Sequence, residues 1–152
     1  MTGINTIDDA GANLIKSYER CRLTAYALGD GKWTIGWGNT FYEDGTEVKE
    51  GDVITQERAD ELFASVVKQF EDQVNNDVTQ PLTQNQFNAL VSFTYNLGDR
   101  NLEISTLLKE VDTNPNNPDI RNQFMRWVEP GTQFTVGLTR RRNDEANMYF
   151  TA

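Results

Sequence analysis

No histidine occurs among these 152 residues, and Cys21 is the only cysteine. Without an imidazole, Ser-His-Asp and Cys-His catalysis are excluded, as are most zinc sites. A single thiol cannot form an intramolecular disulfide, and it is expected to be reduced where the chain is made. No twelve-residue EF-hand pattern and no dinucleotide-type glycine fingerprint occurs. No metal and no cofactor is therefore expected. No run is long and apolar enough for a signal peptide or a membrane span. The expectation is synthesis in the cytoplasm, no visible export signal and no stable membrane association. Basic side chains are also scarce: 14 Lys and Arg stand against 23 Asp and Glu, a net charge of −9. Residues 1–80 hold 15 acidic and 7 basic side chains, and residues 81–152 hold 8 and 7. That balance opposes binding to nucleic acid or an anionic membrane. The run Arg140-Arg141-Arg142 is the local exception. It reads as a solvated face or as ion-pair partners, with a patch for an anionic polymer as the sharper alternative.

Large side chains are present in number: eight Phe, five Tyr and three Trp. The length suits a single domain with a sizeable core. Asp8 or Asp9 can cap a helix running to about Glu19, with Leu14, Ile15 and Tyr18 as its apolar stripe. Residues 23–48 change character. Leu23–Ala27, Lys32–Trp37 and Phe41-Tyr42 read as short strands, punctuated by Gly29-Asp30-Gly31 and Glu43-Asp44-Gly45. From Thr55 the period turns helical through Ala59, Leu62, Phe63, Val66, Val67, Phe70 and Val74. Thr83-Gln-Asn-Gln86 is a capping box, and Gly98 is a natural helix stop. Further helices are expected near 106–111, around Phe124 and Trp127, and from about 136 to 149. The expected class is α+β: mainly helical, with a small antiparallel-strand N-terminal lobe. One domain would span 1–152, with a strand-bearing lobe at about 20–54 and a helical lobe made of about 55–152 plus the N-terminal helix.

The most informative stretch begins at Glu19, a carboxylate at the negative end of its helix. Gly29, Asp30, Gly31, Trp33, Thr34, Gly36 and Gly38 follow within twenty residues. A carboxylate followed by a glycine-rich polar hairpin is one way to assemble a polysaccharide-cleaving site from a short piece of chain. Such hydrolysis ordinarily uses two carboxylates.

The chain resembles the phage-type lysozymes, the endolysin or muramidase family of glycoside hydrolases. The resemblance is carried by Gly11, Leu14-Ile15-Lys16, Glu19, Cys21–Tyr26, Trp33–Gly38 and Gly51–Thr55. It continues through Leu82–Phe93, Ser105–Leu108, Phe124, Arg126-Trp127, Gly137–Arg142 and Glu145. It implies a lysozyme-like fold and cleavage of the β-1,4 bond between N-acetylmuramic acid and N-acetylglucosamine in peptidoglycan. It implies Glu19 as the general acid and Thr34 as the residue that places a water molecule. Tyr26 and Gly38 would line the site or shape its turn. Trp33 and Trp37 read either as sugar-stacking platforms or as core. Delivery by a holin or a phage particle is implied, from host cytoplasm to periplasm or cell wall, with the protein acting as a monomer.

Three positions depart from the family pattern. Leu28 occupies the usual place of an Asp, nine residues after Glu19, and Asp30 is the nearby carboxylate that could take over its part. Asn39 follows Gly38 where the family often has histidine. Arg20 stands where glycine is frequent, and would pair with a neighbouring carboxylate or reach the rim of the site. The second reading that follows from Leu28 is a lysozyme-fold protein that binds glycan, or serves a structural role, without cutting.

Overall fold

The computed structural model describes residues 4–27, 29 and 31–152. Leu28 and Asp30, both singled out above, lie outside the described residues. Seven helices and a two-stranded antiparallel sheet are present among those described: α1 (Asp9–Glu19), β1 (Arg22–Ala27), β2 (Trp33–Gly36), α2 (Gln56–Asp77), α3 (Gln84–Leu97), α4 (Asp99–Ile104), α5 (Thr106–Thr113), α6 (Ile120–Met125) and α7 (Thr135–Tyr149). The fold is thus mainly helical with a small N-terminal sheet. The chain divides into two compact units, Lys16–Gln69 and the combination of Met1–Ile15 with Phe70–Ala152.

In the unit Lys16–Gln69, β1 and β2 pair with Tyr26 opposite Thr34 and Ala27 opposite Trp33, and an irregularity separates these pairs from Arg22 opposite Gly36. Residues directly opposite one another share a face of the sheet. Trp33 and Ile35 therefore face one way and Thr34 the other. The first face is covered: Ala25, Ile35, Val48 and Leu62 form the core, with Trp33, Tyr42 and Ile54 packed against it. Residues 52–54 run along β1, where the Ala25 N–H donates to Asp52 O and the Ile54 N–H to Leu23 O. The strand expected at Phe41-Tyr42 is reduced to a single bridge between Phe41 and Glu47. The Tyr42–Thr46 turn leaves no room for a longer ladder, since Gly45 N–H already donates back to Tyr42 O.

The other unit is built on α3, whose residues 86–94 are all buried. A helix buried on all sides in this way is enclosed by its neighbours, and its polar Gln86, Asn88, Ser92 and Thr94 side chains all make hydrogen bonds. It packs against α7 and α4, while α6 packs against α7 and α5. Aromatic rings fill these junctions edge to face: Phe93 on Phe124 and Trp127, and Phe124 on Tyr149, each pair with centroids 5.8 Å apart. The capping box is formed, with Thr83 Oγ1 accepting from the Gln86 N–H and Gln86 Oε1 accepting from the Thr83 N–H. The start of α1 is tied to the same helix. Asp8 Oδ1 caps α1 through the Gly11 N–H and accepts from Asn88 Nδ2 at 2.7 Å. Gly11 is where α1 comes closest, since a Cβ there would lie 2.7 Å from the Asn88 carboxamide.

Candidate active site

Helix α1 ends on Glu19, and the chain turns at once into β1. Arg20 makes that turn with φ of 54°, a left-handed conformation. In an L-residue other than glycine this costs about 1 kcal/mol. The half-buried Glu19 side chain comes back over the loop that follows β2. There Gly36, Trp37 and Gly38 form a tight turn closed by reciprocal backbone bonds between Ile35 and Asn39, 2.8 and 2.9 Å long. Gly36 and Gly38 take φ of 64° and 92°. Gly38 is also a seat: a Cβ added there would fall 2.7 Å from Glu19 Oε1. Position 38 must lack a side chain on both grounds, conformation and space.

The tip of that turn is pinned to α2. The Trp37 indole N–H donates to Asp60 Oδ1 at 2.9 Å, and its ring meets Phe63 edge on, centroids 6.4 Å apart. Lys16 Nζ lies 5.0 Å from the Trp37 ring centre, 4.8 Å from that of Phe63 and 3.5 Å from Asp60 Oδ1. The Trp37 N–H and the Lys16 charge hold the Asp60 carboxyl below its ordinary value, with burial opposing them. Lys16, one turn before Glu19 on α1, thus couples the end of that helix to the turn on which the Glu19 carboxylate rests. Gln56 Nε2 joins the cluster by donating to Asp60 Oδ1 at 3.3 Å and toward Cys21 Sγ at 3.7 Å.

Tyr26 and Thr34 stand opposite one another on the sheet. Thr34 is buried, and Tyr26 is half-buried under the Arg22 guanidinium, 5.1 Å above its ring centre. Burial pushes the Tyr26 phenol up, the Arg22 charge pulls it down, and the charge of Glu19 adds to the rise. Of the residues singled out in the sequence, Tyr26, Thr34 and Gly38 therefore lie on one hairpin and its following turn, and Glu19 reaches Gly38 from the end of α1. Asp30 is outside the described residues. Trp33 belongs to the core side, and Trp37 is a fastening residue. Asn39 is buried, with neither amide atom hydrogen-bonded among the described residues.

The arginine run resolves into two environments. Arg140 is exposed, whereas Arg141 and Arg142 are buried together with Glu145. Arg142 Nε lies 2.8 Å from Glu145 Oε1, Arg141 Nε lies 3.2 Å from Oε2, and Ser92 Oγ donates to Oε2 at 2.5 Å. Ion-pair partners is the reading that holds for those two arginines. Sequence reasoning did not find the Lys16–Trp37–Asp60 fastening. The only available signal was an amphipathic lysine on the same helix as the candidate acid, and that signal is too common to be specific.

The Glu19 carboxyl thus meets the Gly38 turn, and Tyr26 pairs with the buried Thr34 on the two-stranded sheet. The chain matches the family described as Phage lysozyme over residues 16–145. It is 39% identical over 147 residues to an endolysin of Bacillus phage B103, covering 95% of this chain and 54% of that protein. The chain thus spans about half the length of that relative. Among solved structures, the muramidase domain of SpmX from Asticaccaulis excentricus superposes with a TM-score of 0.85 at 36% identity, covering 97% of this chain and 99% of the other. The endolysin of Escherichia coli O157:H7 phage FAHEc1 gives 0.89 at 33% identity, over 99% and 96%. This chain belongs to the phage lysozyme family of endolysins and muramidases.

Proposed function

We propose that the protein is a peptidoglycan hydrolase that cleaves the β-1,4 bond between N-acetylmuramic acid and N-acetylglucosamine. The observation that carries this reading is the seating of the Glu19 carboxylate on Gly38, in the turn that follows the hairpin of Tyr26 and Thr34. Glu19 donates a proton to the glycosidic oxygen as the bond breaks. Positive charge then develops on the sugar ring, as in an oxocarbenium ion. Water placed by Thr34 attacks the opposite face and inverts the anomeric centre. Asp30 assists as the second carboxylate, which inverting enzymes hold about 6.5–9.5 Å from the first. Leu28 can do none of this work, because an alkyl chain neither accepts a proton nor stabilises a cation. The whole chain acts as one lysozyme-like domain and as a monomer. It is made in the host cytoplasm and reaches periplasm or cell wall through a holin or a phage particle. Among the described residues no helix is long and apolar enough to cross a membrane.

Release of reducing ends from purified peptidoglycan tests the reading. The Glu19→Gln variant keeps the shape of the side chain and removes its acid function. It is expected to lose activity by about 10²–10⁴-fold while melting as the parent does. Full activity in that variant rejects Glu19. Asp30→Asn tests the second carboxylate in the same assay, and an unchanged rate removes Asp30 from the scheme. The position of Leu28 favours a second reading, glycan binding without cleavage. It predicts that the parent protein sediments with insoluble peptidoglycan and releases nothing.

A further inference from the structure

The geometry points to Asn39 as a positioning residue that holds one buried water against the turn on which Glu19 rests. The inference rests on the hydrolase reading above and adds to it what keeps the Glu19 seat in place. Asn39 is 4% exposed, and neither its Oδ1 nor its Nδ2 has a hydrogen-bond partner among the described residues. A carboxamide carries two N–H donors and an oxygen with two lone pairs. Buried polar groups are nearly always paired, with protein or with ordered water, because an unpaired one gives up its hydration for nothing. The described protein groups do not supply that pairing here, so water is the partner the chemistry requires.

The second observation is where the amide lies. Asn39 Oδ1 is 3.1 Å from the point at which a Gly36 Cβ would stand, and that point is 3.7 Å from Ile54 Cδ1 and 3.8 Å from Ala59 Cβ. Gly36 thus yields its side-chain space to the Asn39 amide at one end of the turn, as Gly38 does to the Glu19 carboxyl at the other. The methyl groups of Ile54 and Ala59 neither donate nor accept. The main chain of Asn39 is already committed to Ile35 through its N–H and its carbonyl. The water therefore bridges the amide to main-chain groups of the turn itself. Such a bridge is nearly as favourable as a direct hydrogen bond. It holds the base of the turn, while the Trp37 indole N–H bonded to Asp60 holds the tip. Displacing a reacting group by an ångström is enough to slow a reaction severely, so a tether on this turn acts on catalysis through Glu19.

Magnetic relaxation dispersion of the solvent counts waters held inside a protein, and it is the first readout. Asn39→Leu keeps the branching of the side chain and removes both polar atoms. It is expected to lose one long-lived internal water and to lower kcat about tenfold with KM unchanged. It is also expected to shift the indole N–H resonance of Trp37, which reports the place of the turn. Asn39→Ser keeps a hydroxyl that holds water, and is expected to retain the internal water and most of kcat. An unchanged dispersion in Asn39→Leu overturns the proposal, because the amide then holds no water. A lost water with parent kcat and the parent Trp37 resonance also overturns it, since the water then positions nothing. A high-resolution crystal structure of the parent reads the site without any substitution, and a dry amide there overturns the proposal even if Asn39→Leu does not fold. A parent that releases no reducing ends, while Asn39→Leu loses the water and shifts Trp37, refutes the hydrolase reading alone.

Discussion

Gly38 shows how much of the candidate site depends on a missing side chain. Its φ of 92° and the 2.7 Å from a built Cβ to Glu19 Oε1 impose separate penalties on any replacement. In Gly38→Ala the backbone conformation alone costs about 1 kcal/mol. The carboxyl must also shift by a good fraction of an ångström. The expected result is a fall in kcat of about 10–100-fold with a modest drop in Tm. Reducing-end release and a thermal melt check it, and an alanine variant with parent kcat would show that Glu19 does not need this seat. The importance of this glycine could be read from the sequence, because it closes the Gly36-Trp37-Gly38 turn. That it serves Glu19 could not, since the carboxylate returns to it across 19 residues of chain. Arg20 was readable as an anomaly, a bulky residue at a helix end where glycine fits. Its left-handed conformation emerges only from the folded chain.

Among the elements, α7 departs furthest from what its sequence suggests. Three consecutive arginines read as a solvated face or as ion-pair partners, and the helix turns two of them inward to pair. Glu145 lies one turn further along the same helix and receives both guanidiniums. Arg142 is additionally placed 5.2 Å from the Phe93 ring centre and donates to Asn96 Oδ1 at 2.7 Å. Burial pushes the Glu145 carboxyl up from its ordinary value, and Arg142 and Arg141 pull against that shift. Removing the acid strands two buried cations, so Glu145→Ala is expected to destabilise by about 3–5 kcal/mol. For a chain of this size that is a loss of roughly 10 °C in Tm, measurable by calorimetry. A loss below about 1 kcal/mol would mean that water replaces the carboxylate. The helices with strong end signals were legible in advance: α2 begins after Thr55, whose Oγ1 caps the Arg58 N–H, and α3 lies between its capping box and Gly98. Helix α4 was missed because its six residues bury only Leu102, too little for an apolar period. The helix around Phe124 is shorter than its pattern implied. Trp127 packs on Phe93 from just beyond Met125, so tertiary contact, not helical repeat, sets its place.

Across the whole molecule, the acidic side chains respond to their two settings in opposite directions. In the unit Lys16–Gln69 every shifted carboxyl is lowered among the described residues. Glu43 is lowered chiefly by the Arg58 hydrogen bonds, Asp44 by Thr46, Asp52 by the Lys49 N–H and the Tyr42 hydroxyl, and Asp60 by the Trp37 N–H. A lowered carboxyl contributes stability above its unfolded value, here 3.8 for Asp and 4.5 for Glu, and the contribution is lost as pH falls through the folded value. In the remaining unit burial raises Asp77, Asp99, Glu110 and Glu145, while Asp112 and Asp119 are lowered by their hydrogen bonds to Thr79 and to Asn122 and Gln123. A raised carboxyl takes up its proton in the folded state first, so stability there grows as pH falls from neutrality toward the unfolded values. The two windows do not overlap: the gain lies above the ordinary carboxylate range and the loss lies below it. Native-state hydrogen exchange, corrected for intrinsic rates, is therefore expected to show residues 70–152 gaining or keeping protection as pH drops from 7 to about 5. Below the unfolded carboxylate values, residues 16–69 are expected to lose protection first, and with them the turn that carries Gly38. Loss of protection in 70–152 ahead of 16–69 would show that Asp112 and Asp119, not the four raised carboxyls, govern the acid response.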